Sequence, residues 1–171
     1  LGHNRSVDEV VTAALQEDAQ AIAVSSYQGG HVEYFKYMVD LLRERGGEHV
    51  RVFGGGGGVI VPSEIAELQA YGIERIYSPE DGQKMGLVGM INSVVEQCDF
   101  DLWADRSVGV EEVLSGDRVA IARAITGAEL GRLDETMLGE LRAGAARRVV
   151  PVLGITGTGG SGKSSLTDEL V

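Results

Sequence analysis

The sequence predicts an α/β fold with a parallel sheet, continued by a helical stretch and by the opening of a phosphate-binding loop. Three observations carry this reading. Helical and strand patterns alternate with a repeat of roughly 25 residues over the first two-thirds of the chain, as βα units do. The segments that follow the strand patterns are short, polar and glycine-rich, with five consecutive glycines from Gly54 to Gly58. Near the end stands Gly157-Thr158-Gly159-Gly160-Ser161-Gly162-Lys163-Ser164, a complete Gly-x-x-x-x-Gly-Lys-Ser pattern.

The elements follow in order. Ser6 is placed to cap a helix in which Glu9 completes a capping box, and Val7, Val10, Val11, Ala14 and Leu15 form its apolar stripe. Ala19 to Val24 is short and apolar, the pattern of a central parallel strand. His31 to Arg45 is amphipathic through Phe35, Met38, Val39, Leu41 and Leu42, and Gly46-Gly47 stops it. Val50 to Phe53 is the next strand. Pro62-Ser63 opens a helix over Ile65, Leu68 and Ala70, Gly72 ends it, and Ile73 to Tyr77 is a further strand. A last helix of this set is expected from Gln83 to about Gln97. From Ala104 to Arg148 the spacing is helical without strands, with Asp117 and Asp134 as N-caps. Val149-Val150-Pro151-Val152-Leu153-Gly154-Ile155 then reads as a buried strand, and Ser164 to Leu170 as the start of a helix.

Strands joined by helical crossovers give a parallel sheet, and ligands of open α/β sheets bind in the loops leaving the carboxyl ends of the strands. Those loops are Ser25-Ser26-Tyr27-Gln28-Gly29-Gly30-His31, Gly54 to Gly58, and Ser78-Pro79-Glu80-Asp81-Gly82. Five successive glycines carry a large ordering cost, which fits a surface where backbone must pass close to a bulky ligand. In the later loop, glycine N–H groups are suited to phosphate oxygens. Lys163 supplies an ammonium for the outer phosphates, and the Ser164 hydroxyl a ligand for Mg²⁺.

The formal net charge of −11 argues against a nucleic-acid surface. Residues 1–103 carry 16 acids against 7 Lys/Arg, while 104–171 carry 10 against 8, which marks a boundary near Trp103. The single cysteine, Cys98, fits a reducing compartment and reads as a buried small hydrophobe. No segment has the apolar length of a membrane span, and the N-terminus lacks the pattern of a secretory signal, so a cytoplasmic protein is expected.

Ser25-Ser26-Tyr27, followed after 26 residues by the glycine cluster at Gly54, resembles the Ser-x-Leu and Gly-Gly signatures of the cobalamin-binding domain of acyl-CoA mutases. Gly29-Gly30-His31, Gly57-Gly58-Val59-Ile60 and Ile76-Tyr77-Ser78-Pro79 also fit that domain. Leu114 to Thr126, with the phosphate loop after it, resembles the GTPase chaperones of these mutases. Both parts in this order resemble the fused isobutyryl-CoA mutases, which join a B12 domain, a GTPase domain and a mutase barrel.

The resemblance implies a Rossmann-like (flavodoxin-like) cobalamin-binding domain over 1–103, with its first strand and helix upstream of Leu1. It further implies a helical linker over 104–148 and the start of a P-loop GTPase domain over 149–171. Adenosylcobalamin would contact Ser25, Tyr27, Gly29, Gly30, His31, Gly54, Gly55, Gly57, Gly58, Tyr77 and Ser78. GTP would contact Gly157, Gly159, Gly160, Ser161, Gly162, Lys163, Ser164 and Ser165, with Mg²⁺ on Ser164. The family's leucine is Tyr27 here, and the glycine run is longer than the usual pair. The family's Asp-x-His-x-x-Gly loop, whose histidine ligates cobalt, does not occur in these residues and is expected upstream; His3 lacks its aspartate and glycine.

The implied reaction interconverts isobutyryl-CoA and n-butyryl-CoA in a homodimeric parent whose acyl-CoA substrate binds the barrel. The segment alone is expected to be inactive. Neither a nucleic-acid partner nor a membrane is expected. The same residues also fit a methylmalonyl-CoA or pivalyl-CoA mutase, a cobalamin-binding regulatory module joined to a P-loop protein, or an unrelated Rossmann-like sheet joined to an ATPase.

Overall fold

The computed structural model describes residues 1–104 and 107–170; residues 105, 106 and 171, which fall in the expected linker and nucleotide segments, lie outside the described residues. The order is α1 (Val7–Gln16), β1 (Ala21–Ser25), α2 (His31–Glu44), β2 (Arg51–Gly55), α3 (Pro62–Tyr71), β3 (Arg75–Tyr77) and α4 (Pro79–Cys98). The helices α5 (Val110–Ser115), α6 (Arg118–Glu129), α7 (Glu135–Ala146) and α8 (Lys163–Leu170) follow. The three strands form one parallel sheet in the order β1-β2-β3. The fold is therefore the Rossmann-like α/β architecture expected from the alternation.

The local signals act as expected at most helix starts. Ser6 and Glu9 form a reciprocal capping box, and Asp117 and Asp134 accept from the N–H groups of Ala120 and Met137 at 2.7 Å. Helix α4 begins at Pro79, four residues before the expected Gln83. Ser78 and Asp81 form a capping box there, proline occupies the first turn where its missing N–H costs nothing, and the turn absorbs what the sequence reads as a loop. At Gly86 (φ 64°) this helix is interrupted by a kink.

The register separates the two faces of the sheet. Ile22, Val24, Val52, Gly54 and Ile76 share one face, packed under α1, α2 and α3 with Phe35, Met38 and Leu68 in the main core. Ala21, Ala23, Ser25, Arg51, Phe53, Gly55, Arg75 and Tyr77 share the other. Helix α4 lies on that second face through Arg75, which pairs with Asp81 at 2.8 Å, and Phe53 on the same face is buried. Yet Leu87, Val88, Ile91 and Val95 of α4 are exposed, and Cys98 is half-buried instead of fully enclosed.

The helical stretch docks on the sheet unit. Helix α6 lies on α1, Val119 packs against the main core, and Arg123 donates to the Gly46 carbonyl at 3.2 Å. At Gly127 a Cβ would stand 2.4 Å from Cη2 of Trp103. Alanine there gains up to about 1 kcal/mol of helix propensity but meets overpacking worth roughly 1–3 kcal/mol. Gly127→Ala is thus expected to lower stability, as a thermal melt would read; a raised melting temperature would remove the packing argument.

The run 149–155, expected as a strand, is not one. Val149 is 99% exposed, Val152 94% and Leu153 75%, and no neighbouring strand among the described residues pairs with it. Apolar composition supplies strand propensity, but a strand exists only where a neighbour takes its backbone hydrogen bonds. No helix among the described residues is long and apolar enough to cross a membrane.

Candidate functional site

The last residues of the three strands, Ser25, Gly55 and Tyr77, are register partners and stand side by side on the α4 face. The parallel topology thus brings together three of the residues expected from sequence. The loops beyond them also touch. The Ser26 N–H donates to the Gly55 carbonyl at 2.8 Å, and at Gly56 a Cβ would lie 2.2 Å from the Ser26 oxygen. Only glycine permits that approach, a role the sequence reading missed although Gly56 lies inside the glycine run. Gly57 and Gly58 have φ of 57° and 90°, in the left-handed region. The ring of Tyr27 packs against Gly57, and Pro79 against Gly58, so the rim runs unbroken from the first loop to the third.

Not every expected residue faces this rim. A Cβ at Gly54 would meet Phe35 at 2.6 Å and Ile76 at 2.5 Å, which turns that position to the core. Ser78 uses its hydroxyl and N–H on Asp81. Gly29 has open space around it, and Gly30 (φ 81°) supplies the left-handed N-cap of α2. His31 is 7% exposed, with Nδ1 at 3.1 Å from the Gln28 carbonyl and Nε2 at 3.0 Å from Glu64. It orients its loop, as a buried histidine with two partners does.

Beside the rim, β1 is open. Ala23 and Ser25 are exposed on the α4 face, and a groove of about 900 Å³ runs along the free edge of β1 from Leu1–Arg5 to Tyr27 and Tyr34. Small side chains leave this face accessible. Tyr77 adds a buried hydroxyl with no hydrogen-bond partner among the described residues, a condition costing about 1–3 kcal/mol unless a ligand group meets it. A small-residue face, a glycine rim and an orphaned hydroxyl fit a large ligand with a flat, partly polar part. Among the described residues, no cluster of three His, Cys, Asp or Glu side chains forms a metal site.

Electrostatics add rigidity around the rim. The Gln28 carbonyl, and then the Glu64 carboxylate, push the pKa of His31 up against its burial. The Val61 N–H, and then His31, hold the Glu64 carboxyl below its usual range. Asp81 is likewise lowered, first by the Ser78 backbone N–H and further by Arg75.

The glycine-rich loop at 157–162 passes directly into α8, which begins at Lys163. Gly160 (φ 76°) and Gly162 (φ 77°) take conformations that other residues rarely adopt. The Lys163 ammonium donates to the carbonyls of Gly157 at 2.9 Å and Thr158 at 2.7 Å, so it lies over the loop. Ser161 closes the turn by donating to Thr158 at 2.8 Å. Ser164 and Ser165 sit in the first turn of α8, where backbone N–H groups are unpaired within the helix.

No protein-family model matches the chain. A fused isobutyryl-CoA mutase of Cupriavidus metallidurans is 67% identical over 171 residues, all of this chain and 16% of the relative. That of Nocardia farcinica is 62% identical over the same span, again 16% of its length. The small subunit of a 2-hydroxyisobutanoyl-CoA mutase from Aquincola tertiaricarbonis is 30% identical over 94 residues, 55% of this chain and 67% of that subunit. With identity of 60–67% along its whole length to a segment equal to 16% of these curated relatives, the chain belongs to the fused isobutyryl-CoA mutase family.

Proposed function

We propose that this segment holds the dimethylbenzimidazole tail of adenosylcobalamin on the open face of β1 and begins the GTPase of a fused acyl-CoA mutase. The observation that carries the first part is the row Ser25, Gly55 and Tyr77 beside exposed Ala23, at the carboxyl edge where open α/β sheets take ligands. Ser25 and Tyr27 would line the tail, the backbone at Gly55, Gly57 and Gly58 would pass beside it, and Tyr77 would close the far side. The free edge of β1 supports a further strand and helix completing this domain over 1–103, with the cobalt-ligating histidine upstream. Adenosylcobalamin supplies the radical chemistry of the carbon-skeleton rearrangement; this segment binds and orients it.

Lys163 and Ser164 would serve GTP and Mg²⁺ in the GTPase that opens at 149–171, after the linker over 104–148, and its turnover would gate cofactor loading. The parent reaction is the interconversion of isobutyryl-CoA and n-butyryl-CoA in a cytoplasmic homodimer, the acyl-CoA held by a separate barrel.

Cobalamin added to the full-length protein is expected to change its visible spectrum on binding. Ala23→Leu, which fills the open face without touching the main core, is expected to weaken binding by about tenfold or more with an unchanged melting temperature. Unaltered affinity in that variant would remove β1 from the site, and an unaltered spectrum in the parent protein would remove cobalamin.

A further inference from the structure

We propose that His31 is a positioning residue which, as an imidazolium, clasps the loop after β1 to the start of α3 and so fixes the rim for its ligand. The proposal rests on the cobalamin reading and deepens it. Its basis is a count of donors and acceptors. The Gln28 carbonyl stands 3.1 Å from Nδ1 and a Glu64 carboxylate oxygen 3.0 Å from Nε2. Both accept and neither donates. A neutral imidazole carries one N–H and would set its second nitrogen lone pair against one of these oxygens, whereas an imidazolium satisfies both. The same Glu64 oxygen also accepts the Val61 N–H at 2.9 Å, which favours the ionised carboxylate.

The clasp ties together positions 33 residues apart, and the glycine run lies between the two elements it joins. The charged groups facing His31 are Glu64 from α3 and Glu33 from its own helix. Burial and the N-terminal end of α2 oppose the charge, but two hydrogen bonds and the facing carboxylates prevail, and the net shift is upward. The sign for stability follows. The clasp is intact below the raised His31 pKa and is lost as pH climbs through it. On the acid side it is lost as pH falls through the lowered pKa of Glu64.

The test uses the full-length protein. The ¹⁵N shifts of the His31 ring are followed by NMR, assigned by His31→Asn, while adenosylcobalamin is titrated from about pH 6 to 9. Both ring nitrogens are expected to be protonated at neutral pH, with affinity falling about fivefold to tenfold as the ring deprotonates. His31→Asn should flatten that dependence, and Glu64→Gln should move it to lower pH. A neutral ring at neutral pH, or one pH profile shared by all three proteins, would overturn the proposal. Absence of cobalamin binding at every pH would instead sink the cobalamin reading. The clasp would then be judged by amide hydrogen exchange at 26–31 and 59–64: exchange that rises on deprotonation supports it, and exchange indifferent to pH beyond the intrinsic rate overturns it.

Discussion

Phe35→Ala is expected to destabilise the sheet unit by about 3–5 kcal/mol, the range for truncating a fully buried aromatic. Phe35 is 0% exposed, and its ring fills the space that a side chain on Gly54 would need: Cζ lies 2.6 Å from where that Cβ would stand. Tyr34 meets the ring edge-on at 6.3 Å between centroids. Gly54→Ala alone should cost roughly 1–3 kcal/mol by overpacking. In the double variant the clash with Phe35 is gone while that with Ile76, at 2.5 Å, remains, so the two losses should fall short of additive by about 1 kcal/mol. Urea unfolding of the four proteins measures this. Strict additivity would mean that Phe35 and Gly54 do not share the space assigned to them.

The same pair shows where sequence reading stops. Phe35 is legible as core from its helical spacing, and the capping box at Ser6 and the caps at Asp117 and Asp134 are legible because their partners lie three residues away. The parallel sheet and the loops at the carboxyl ends follow from alternation. Gly54 is different: its glycine is demanded by Phe35 and Ile76, each about 20 residues distant, and the run of glycines gives no sign of which position serves packing and which a ligand. The His31–Glu64 pair is hidden for the same reason. The early start of α4 was legible, since Ser78, Pro79 and Asp81 make a capping box with proline in the first turn, but glycine at 82 and 86 masks the helical pattern beyond it. The run 149–155 has strand composition without a strand, because pairing is a property of neighbours. Resemblance, and not composition, carried the family; the 67% identity to a fused isobutyryl-CoA mutase agrees with it.

Lys163→Ala in the full-length protein is expected to weaken GTP binding by about a hundredfold. Hydrogen bonds to charged groups contribute about 1.5–3 kcal/mol each, and the ammonium would make up to about two of them to the outer phosphates. The loop complicates the reading, since Nζ also donates to Gly157 and Thr158 at 2.9 and 2.7 Å and so braces the turn. Two further variants separate bracing from charge. Lys163→Arg keeps the cation and should retain a larger share of the affinity. Gly162→Ala keeps the cation but forces a left-handed φ of 77° on a residue with a Cβ, at a cost of about 1–2 kcal/mol. Ser164→Ala should reduce affinity only when Mg²⁺ is present, because its hydroxyl is assigned to the metal and not to the phosphates. Titration of a fluorescent GTP analogue with and without Mg²⁺ reads all four, with ATP as competitor. Full affinity in Lys163→Ala would dissociate the loop from nucleotide binding, and equal competition by ATP would leave the loop a nucleotide site without the GTP preference proposed for it.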